Sequence, residues 1–306
     1  MPMASTEALT ADGTRTCSAA RFPVTYGTVC SIYGVATIRT ACSRRSFSKE
    51  NTMASYDPPS AVTAWLDVQR STFESWPVFT VAARDKEPRG RALYLHGGGH
   101  ATELQPITWA FVTRLALATG REFVIPIFPL APSATHRDVY PTLERLYAKE
   151  IAGQPGTAIV ADSSGGVLAL HLVQSMPQVN RPDHVVLLSP WVDAVMDHPE
   201  IPKLEPVDSF STKPGMLRYA RAFAGDADLA DPRLSPVRGP LDHLGEITIF
   251  AAGNDILTPD VRKLRDSAGP GTTVDLRVYE GRTHMWMLFS DEAATEVVKE
   301  IERVLT

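Results

Sequence analysis

Two glycine-rich turns, each directly behind a short apolar run, constrain this chain more than any other feature. The first is His96-Gly97-Gly98-Gly99-His100, after Ala92-Leu93-Tyr94-Leu95. The second is Ala161-Asp162-Ser163-Ser164-Gly165-Gly166, after Thr157-Ala158-Ile159-Val160, and Val167 to Val173 then reads as the start of an apolar helix. A strand that turns sharply into a helix over small residues strains the residue at its apex and exposes that side chain. Here the apex is Ser163, and the N–H groups of the following helix favour a developing negative charge beside it. Three consecutive glycines let backbone N–H groups converge with no Cβ in the approach path. The N–H of Ser164, next after the apex, would complete such an oxyanion hole. The spacing is not Gly-x-Gly-x-x-Gly, and no Gly-Lys-Ser/Thr follows, so a phosphate or dinucleotide loop is the weaker reading. For the second turn taken alone, a serine that only caps the helix is the alternative.

A serine nucleophile needs a base, and the base an orienting acid, in the chain order Ser, Asp or Glu, His for this kind of turn. Downstream, Glu246 to Ala252 reads as an apolar strand ending in Gly253-Asn254-Asp255. After a helical stretch, a strand from Thr273 to Tyr279 opens into Glu280-Gly281-Arg282-Thr283-His284. Asp255 and His284 therefore sit just beyond the C-terminal ends of predicted strands, the edge where open α/β sheets gather their sites. Asp260 competes with Asp255, but it follows Pro259 and reads as a first-turn helix acid. His171, His184, His198 and His243 lack this placement and read as surface or packing residues.

Strand patterns alternate with helical ones throughout this region. Helices are predicted near Thr108–Ala118 and Val139–Ile151, and strands over Glu122–Ile127 and His184–Ser189. The class is α/β, with a mostly parallel sheet. The 306 residues suffice for one such domain. With 30 basic and 35 acidic residues, net −5, the chain offers no basic surface for nucleic acid.

Residues 1–52 differ in composition. They are rich in Ser, Thr and Ala, carry six basic and three acidic residues, and hold all three cysteines, Cys17, Cys30 and Cys42. Those cysteines have neither metal-site spacing nor an even count. Phe22 to Ile38 is uncharged but broken by Pro23, Gly27 and Gly34, short of the ~20 apolar residues of a membrane span. No stable membrane insertion is expected. The segment reads as a disordered or non-native leader ahead of a start at Met53, which gives a cytoplasmic protein. An organelle transit peptide is the alternative.

From about Trp76 to the C-terminus the chain resembles the hormone-sensitive-lipase-like esterases of the α/β-hydrolase fold. His96–Gly99 matches that family's His-Gly-Gly-Gly loop, and Ala161–Gly166 its Gly-Asp-Ser-Ala-Gly-Gly elbow. Ser189-Pro190-Trp191-Val192-Asp193, Asp231-Pro232-Arg233-Leu234-Ser235-Pro236, Asp255–Asp260 and His284 match its later motifs in order. Ala161 replaces a glycine. Phe128-Pro129-Leu130-Ala131-Pro132-Ser133 stands where the family often has Tyr-Arg-Leu-Ala-Pro-Glu, so both members of an internal ion pair are missing.

The resemblance implies an α/β-hydrolase domain over 53–306, with helices on both sheet faces and a small helical cap. Cap elements are expected near 57–73 and 193–230, including a short helix over Ala61–Arg70 started by Ser60 and another near Pro214–Phe223. It implies a catalytic set of Ser163, Asp255 and His284, and oxyanion donors Gly98, Gly99 and Ser164. His100, Trp109, Met285 and Trp286 are candidates for an apolar pocket, with core packing as the alternative. The implied activity is a serine carboxylesterase acting on short to medium acyl esters without a metal or organic cofactor. Its partner would be a small ester, and a homodimer is an open alternative. An amidase, lactonase or acyltransferase would use the same residues, and a non-catalytic small-molecule receptor could share the scaffold.

Overall fold

The computed structural model describes residues 56–305. The leader expected over 1–52 lies outside the described residues. The chain runs α1 (Ser60–Thr63), β1 (Leu66–Phe73), β2 (Trp76–Ala83), β3 (Arg91–Leu95), α2 (Pro106–Thr119), β4 (Glu122–Pro126), α3 (His136–Glu150), β5 (Thr157–Asp162) and α4 (Gly165–Ser175). It continues through β6 (His184–Leu188), α5 (Ile201–Leu204), α6 (Lys213–Ala224), β7 (Gly245–Ala252), α7 (Thr258–Asp266), β8 (Thr272–Tyr279) and α8 (Asp291–Leu305).

The strands form one eight-stranded sheet in the order β1-β2-β4-β3-β5-β6-β7-β8. The β1–β2 and β2–β4 pairs are antiparallel and the rest are parallel. β5 lies near the middle and all six of its residues are buried, as a parallel strand covered on both faces requires. Its period of two divides it between two cores. Ile159 and Ala161 pack with α3, α4, α6 and α7, while Ala158 and Val160 pack with α2 and α8. The edge strands are polar: β8 carries the ion pair of exposed Asp275 with half-buried Arg277, and β1 buries little beyond Leu66. Charged edges of this kind discourage pairing with another chain.

The expected helix over Ala61–Arg70 is corrected. Helix stops at Thr63, and Leu66–Phe73 is the edge strand, not part of a cap. Its register runs from Leu66 opposite Ala83 to Phe73 opposite Trp76. An antiparallel ladder along all eight residues outweighs the weak helical spacing of Val62 and Leu66, because the backbone groups facing β2 gain partners while those on the outer edge face away from the sheet. Leu66 is fully buried, whereas Trp65 points outward at 62 % exposure. The hairpin turn is Glu74-Ser75, with Glu74 at φ +54°. It has no Asn-Gly or Asp-Gly signal. Arg145 Nε and Nη2 (2.7 and 2.9 Å) and the Thr142 hydroxyl (3.0 Å) hold the Glu74 carboxylate instead. Between β6 and β7 the chain leaves the sheet and forms α5 and α6, the second close to its expected bounds. No helix among the described residues is long and apolar enough to cross a membrane.

Candidate active site

The sharp turn after β5 forms as the small residues require. Ser163 adopts φ +50°. Its N–H donates to the Leu188 carbonyl (2.9 Å), and its own carbonyl accepts from Gly166 N (3.0 Å) and Trp191 N (2.8 Å). Left-handed backbone at a serine costs on the order of 1–3 kcal/mol and persists only where neighbours over-determine it; these three bonds do so. A Cβ on Gly165 would collide with the Leu95 carbonyl, so glycine is what lets α4 start against β3. Ala161, where a third small residue was expected, is fully buried inside β5, and its methyl is absorbed by the core.

The glycine loop after β3 presses on this turn. A Cβ on Gly97 would lie 2.7 Å from the Ser163 Cβ. Gly98 and Gly99 take φ +104° and +63°. The N–H groups of Gly98, Gly99 and Ser164 have no hydrogen-bond partner among the described residues, so all three are available donors. Two bonds fix the loop to the turn. Gly97 N donates to Asp162 Oδ2 (3.0 Å), and His100 N donates to Ser164 Oγ (3.2 Å). Asp162 also accepts from the Tyr94 hydroxyl at 2.8 Å. Burial pushes the Asp162 carboxyl up to about 6, against the opposing pull of those two donors.

His284 reaches the serine from the end of β8. Its Nε2 lies 3.0 Å from Ser163 Oγ, and its Nδ1 lies 2.7 Å from Asp255 Oδ2. The 2.7 Å bond to a carboxylate fixes the proton on Nδ1 and leaves Nε2 free to accept. Burial alone would lower the imidazole pKa, but the Asp255 carboxylate, with Asp208 and Asp162 farther off, outweighs it and holds the value above the ordinary 6.5. Asp255 Oδ1 accepts from Leu257 N at 2.9 Å. The acid and base loops are joined by Asn254 N to the Arg282 carbonyl (2.9 Å), and Met285 N donates to Ser189 Oγ (3.2 Å). Asp260 stands apart in the first turn of α7, buried, with neither carboxylate oxygen hydrogen-bonded.

The four pocket candidates divide. His100 is buried beneath α6, its ring 3.9 Å from that of Phe223. Trp109 is fully buried on the α2–α8 face, where its Nε1 donates to the Tyr56 carbonyl and its ring meets Phe79 edge-on. Met285 and Trp286 belong to the same core. Trp109, Met285 and Trp286 therefore pack the sheet and do not line the cleft: their helical or loop positions turn them toward α2 and α8. Aromatic residues against the base and the glycine loop come instead from the segment between β6 and β7. The Phe210 ring lies 5.0 Å from the His284 ring, and the Tyr219 ring covers Gly99. On the His96 side of the glycine loop is a groove of about 380 Å³, lined by Trp76, His96, Phe128, Leu130 and Ala131. Phe210 lies in the irregular stretch before α6, and Tyr219 lies within the expected helix, whose periodicity does not say which face meets the glycine loop.

The motif stretches at 189–193 and 231–236 meet at the root of this segment. Ser235 Oγ donates its one proton to the Leu229 carbonyl (2.6 Å) and lies 3.1 Å from Asp193 Oδ1, and Arg238 pairs with the fully buried Asp193 carboxylate. The pairing anchors both ends of the insertion to the sheet.

Comparison with known proteins agrees with this architecture. Residues 92–288 match the model of a family described as alpha/beta hydrolase fold. LipR of Mycobacterium tuberculosis, provisionally named an acetyl-hydrolase, is 27% identical over 224 residues, covering 71% of this chain and 72% of LipR. A solved structure provisionally named an esterase, from Staphylococcus aureus, superposes with a TM-score of 0.76 at 25% identity, covering 81% of this chain and 85% of that one. An esterase from the bacterial hormone-sensitive lipase family shares the fold, with a TM-score of 0.69 at 23% identity over 78% of this chain and 84% of its own. The chain thus belongs to the alpha/beta hydrolase fold family, among its esterase- and lipase-like members.

Proposed function

We propose that the protein is a serine carboxylesterase that cleaves short to medium acyl esters through an acyl-enzyme. The observation that supports this most directly is the buried chain from Ser163 Oγ to His284 Nε2 (3.0 Å) and from Nδ1 to Asp255 (2.7 Å). In the first half-reaction Ser163 Oγ bonds to the ester carbonyl carbon while its proton passes to His284 Nε2. The carbonyl oxygen becomes an oxyanion facing the N–H groups of Gly98, Gly99 and Ser164. Losing one such donor typically costs about 10²–10³-fold in kcat. The tetrahedral intermediate collapses, the bond to the alcohol oxygen breaks, and that oxygen takes the proton from Nε2. Water then attacks the acyl-serine, gives its proton to Nε2, and the Ser163 oxygen leaves with that proton. Asp255 keeps the imidazole in the tautomer this requires and stabilises its cationic form.

The preference for small acyl groups rests on enclosure. The insertion between β6 and β7 sets the Phe210 ring against the His284 imidazole and the Tyr219 ring against Gly99, so the base and the glycine loop are both covered by aromatic side chains. Two measurements test the proposal. A fluorophosphonate should label the wild-type protein at Ser163 and leave Ser163→Ala unlabelled, with the variant folded but inactive. Along acetyl, butyryl, octanoyl and palmitoyl p-nitrophenyl esters, kcat/KM should peak at butyryl or octanoyl and fall at palmitoyl. Near wild-type turnover by Ser163→Ala would refute the nucleophile. A palmitoyl optimum with activation at an oil–water interface would make the protein a lipase.

A further inference from the structure

Asp208 lies in the insertion, between α5 and α6, and its carboxylate serves two separate stretches of chain. Oδ1 accepts the N–H groups of Phe210 (2.8 Å) and Ser211 (2.9 Å). Oδ2 accepts the N–H of Ile256 (3.0 Å), the residue directly after Asp255. The group is buried. Through the first two bonds it shapes the turn that carries Phe210, whose ring is tilted over His284 at 5.0 Å although Phe210 is 59 % exposed. An aromatic ring so open to solvent needs a fixed backbone to hold its place. Through the third bond Asp208 pins the loop that presents Asp255.

We propose that Asp208 is a positioning residue that couples the cap to the acid–base pair, holding the Asp255 loop in register with His284 and seating Phe210 across the imidazole. A charge placed there also bears on the base. Three anionic groups act on His284: Asp255 from the loop after β7, Asp208 from the cap, and Asp162 at the end of β5. Each favours the imidazolium, so removing one must lower the imidazole pKa.

The proposal rests on the serine-esterase reading, and the test keeps the two apart. In Asp208→Asn one charge is lost, and a single carbonyl oxygen replaces two acceptors, so either the Phe210 turn or the Ile256 bond is left unmade. With p-nitrophenyl butyrate, kcat/KM should fall about ten-fold or more, since an acid–base pair displaced by a fraction of an ångström loses alignment. The acid limb of the profile should move to lower pH. The same shift should appear without substrate, as an earlier titration of the His284 Nδ1–H proton in NMR spectra. Phe210→Ala keeps the Asp208 charge and the backbone N–H; it should change KM for aryl esters and leave the titration in place. Asp208→Glu keeps the charge but displaces the carboxylate, and should lower kcat with the titration near wild type. A His284 titration unmoved in Asp208→Asn overturns the proposal whatever happens to kcat. If that variant does not fold, wild-type kcat in Asp208→Glu overturns it. Failure of the wild-type protein to react with the fluorophosphonate would instead refute the esterase reading and leave the imidazole titration to be read on its own.

Discussion

The two aspartates near the end of β7 look alike in sequence and differ completely in their surroundings. Asp255 meets His284 Nδ1 and a backbone N–H, whereas both oxygens of Asp260 are buried without a partner. Burial and the nearby Asp193 carboxylate push the Asp260 carboxyl up to about 7, with Lys263 opposing. Asp255→Asn should reduce kcat by roughly 10³–10⁴-fold, since an amide there can stabilise the wrong tautomer. Asp260→Asn should stay within a few-fold, and steady-state kinetics on both variants decide the assignment. Stability carries a second signature. The folded-state value of Asp260 is raised above the ordinary 3.8, so its contribution is fully present below that value and is lost as pH rises through about 7. The buried His96 and His100, held at about 4 and about 3, impose the opposite trend on the whole protein, so the signature is a difference: in denaturant melts Asp260→Asn should gain on the wild type as pH rises from 4 to 7.5, by about 1–3 kcal/mol at the upper end.

At the scale of elements, the site depends on how closely strand ends and helix starts approach each other. β3 and β5 are parallel neighbours, so the loop after one faces the turn after the other. Gly165 sets their distance, because any Cβ there would meet the Leu95 carbonyl. Gly165→Ala should shift α4 away from β3. The expected result is a loss of about 1–3 kcal/mol in thermal or chemical melts, the usual cost of overpacking. Activity should fall further than stability, because Ser163 and the oxyanion donors move apart. Unchanged melting together with unchanged kcat would show that the contact is not what sets the turn.

At the scale of the molecule, the eight paired strands, the two cores that flank them and every residue of the proposed mechanism are found among the described residues 56–305. A chain beginning at Met53 should therefore fold and retain kcat and KM for p-nitrophenyl butyrate. An insoluble or inactive truncation beside an active full-length chain would assign residues 1–52 a role in folding or in the site.

Local chemistry was enough to read the elbow at Ser163, the glycine loop at 97–99, and the strand ends bearing Asp255 and His284. Each depends on short-range rules: small residues at a sharp turn, a run of glycine, an apolar strand followed by a loop. The parallel core was legible for the same reason, since strands buried on both faces are written as continuous apolar runs. What the sequence left open were matters of pairing and direction. Whether Leu66–Phe73 is helix or strand depends on pairing with β2 across the Glu74-Ser75 turn, which carries no Asn-Gly or Asp-Gly signal to announce a hairpin. Whether Trp109, Met285 and Trp286 face the cleft or the core depends on which side of the sheet α2 and α8 cover. Phe210 and Asp208 became part of the site only because the insertion folds back over β7 and β8, where one carboxylate meets the N–H groups of two distant stretches. Contacts of that kind are fixed by the packing of the whole chain, and no window of residues contains them.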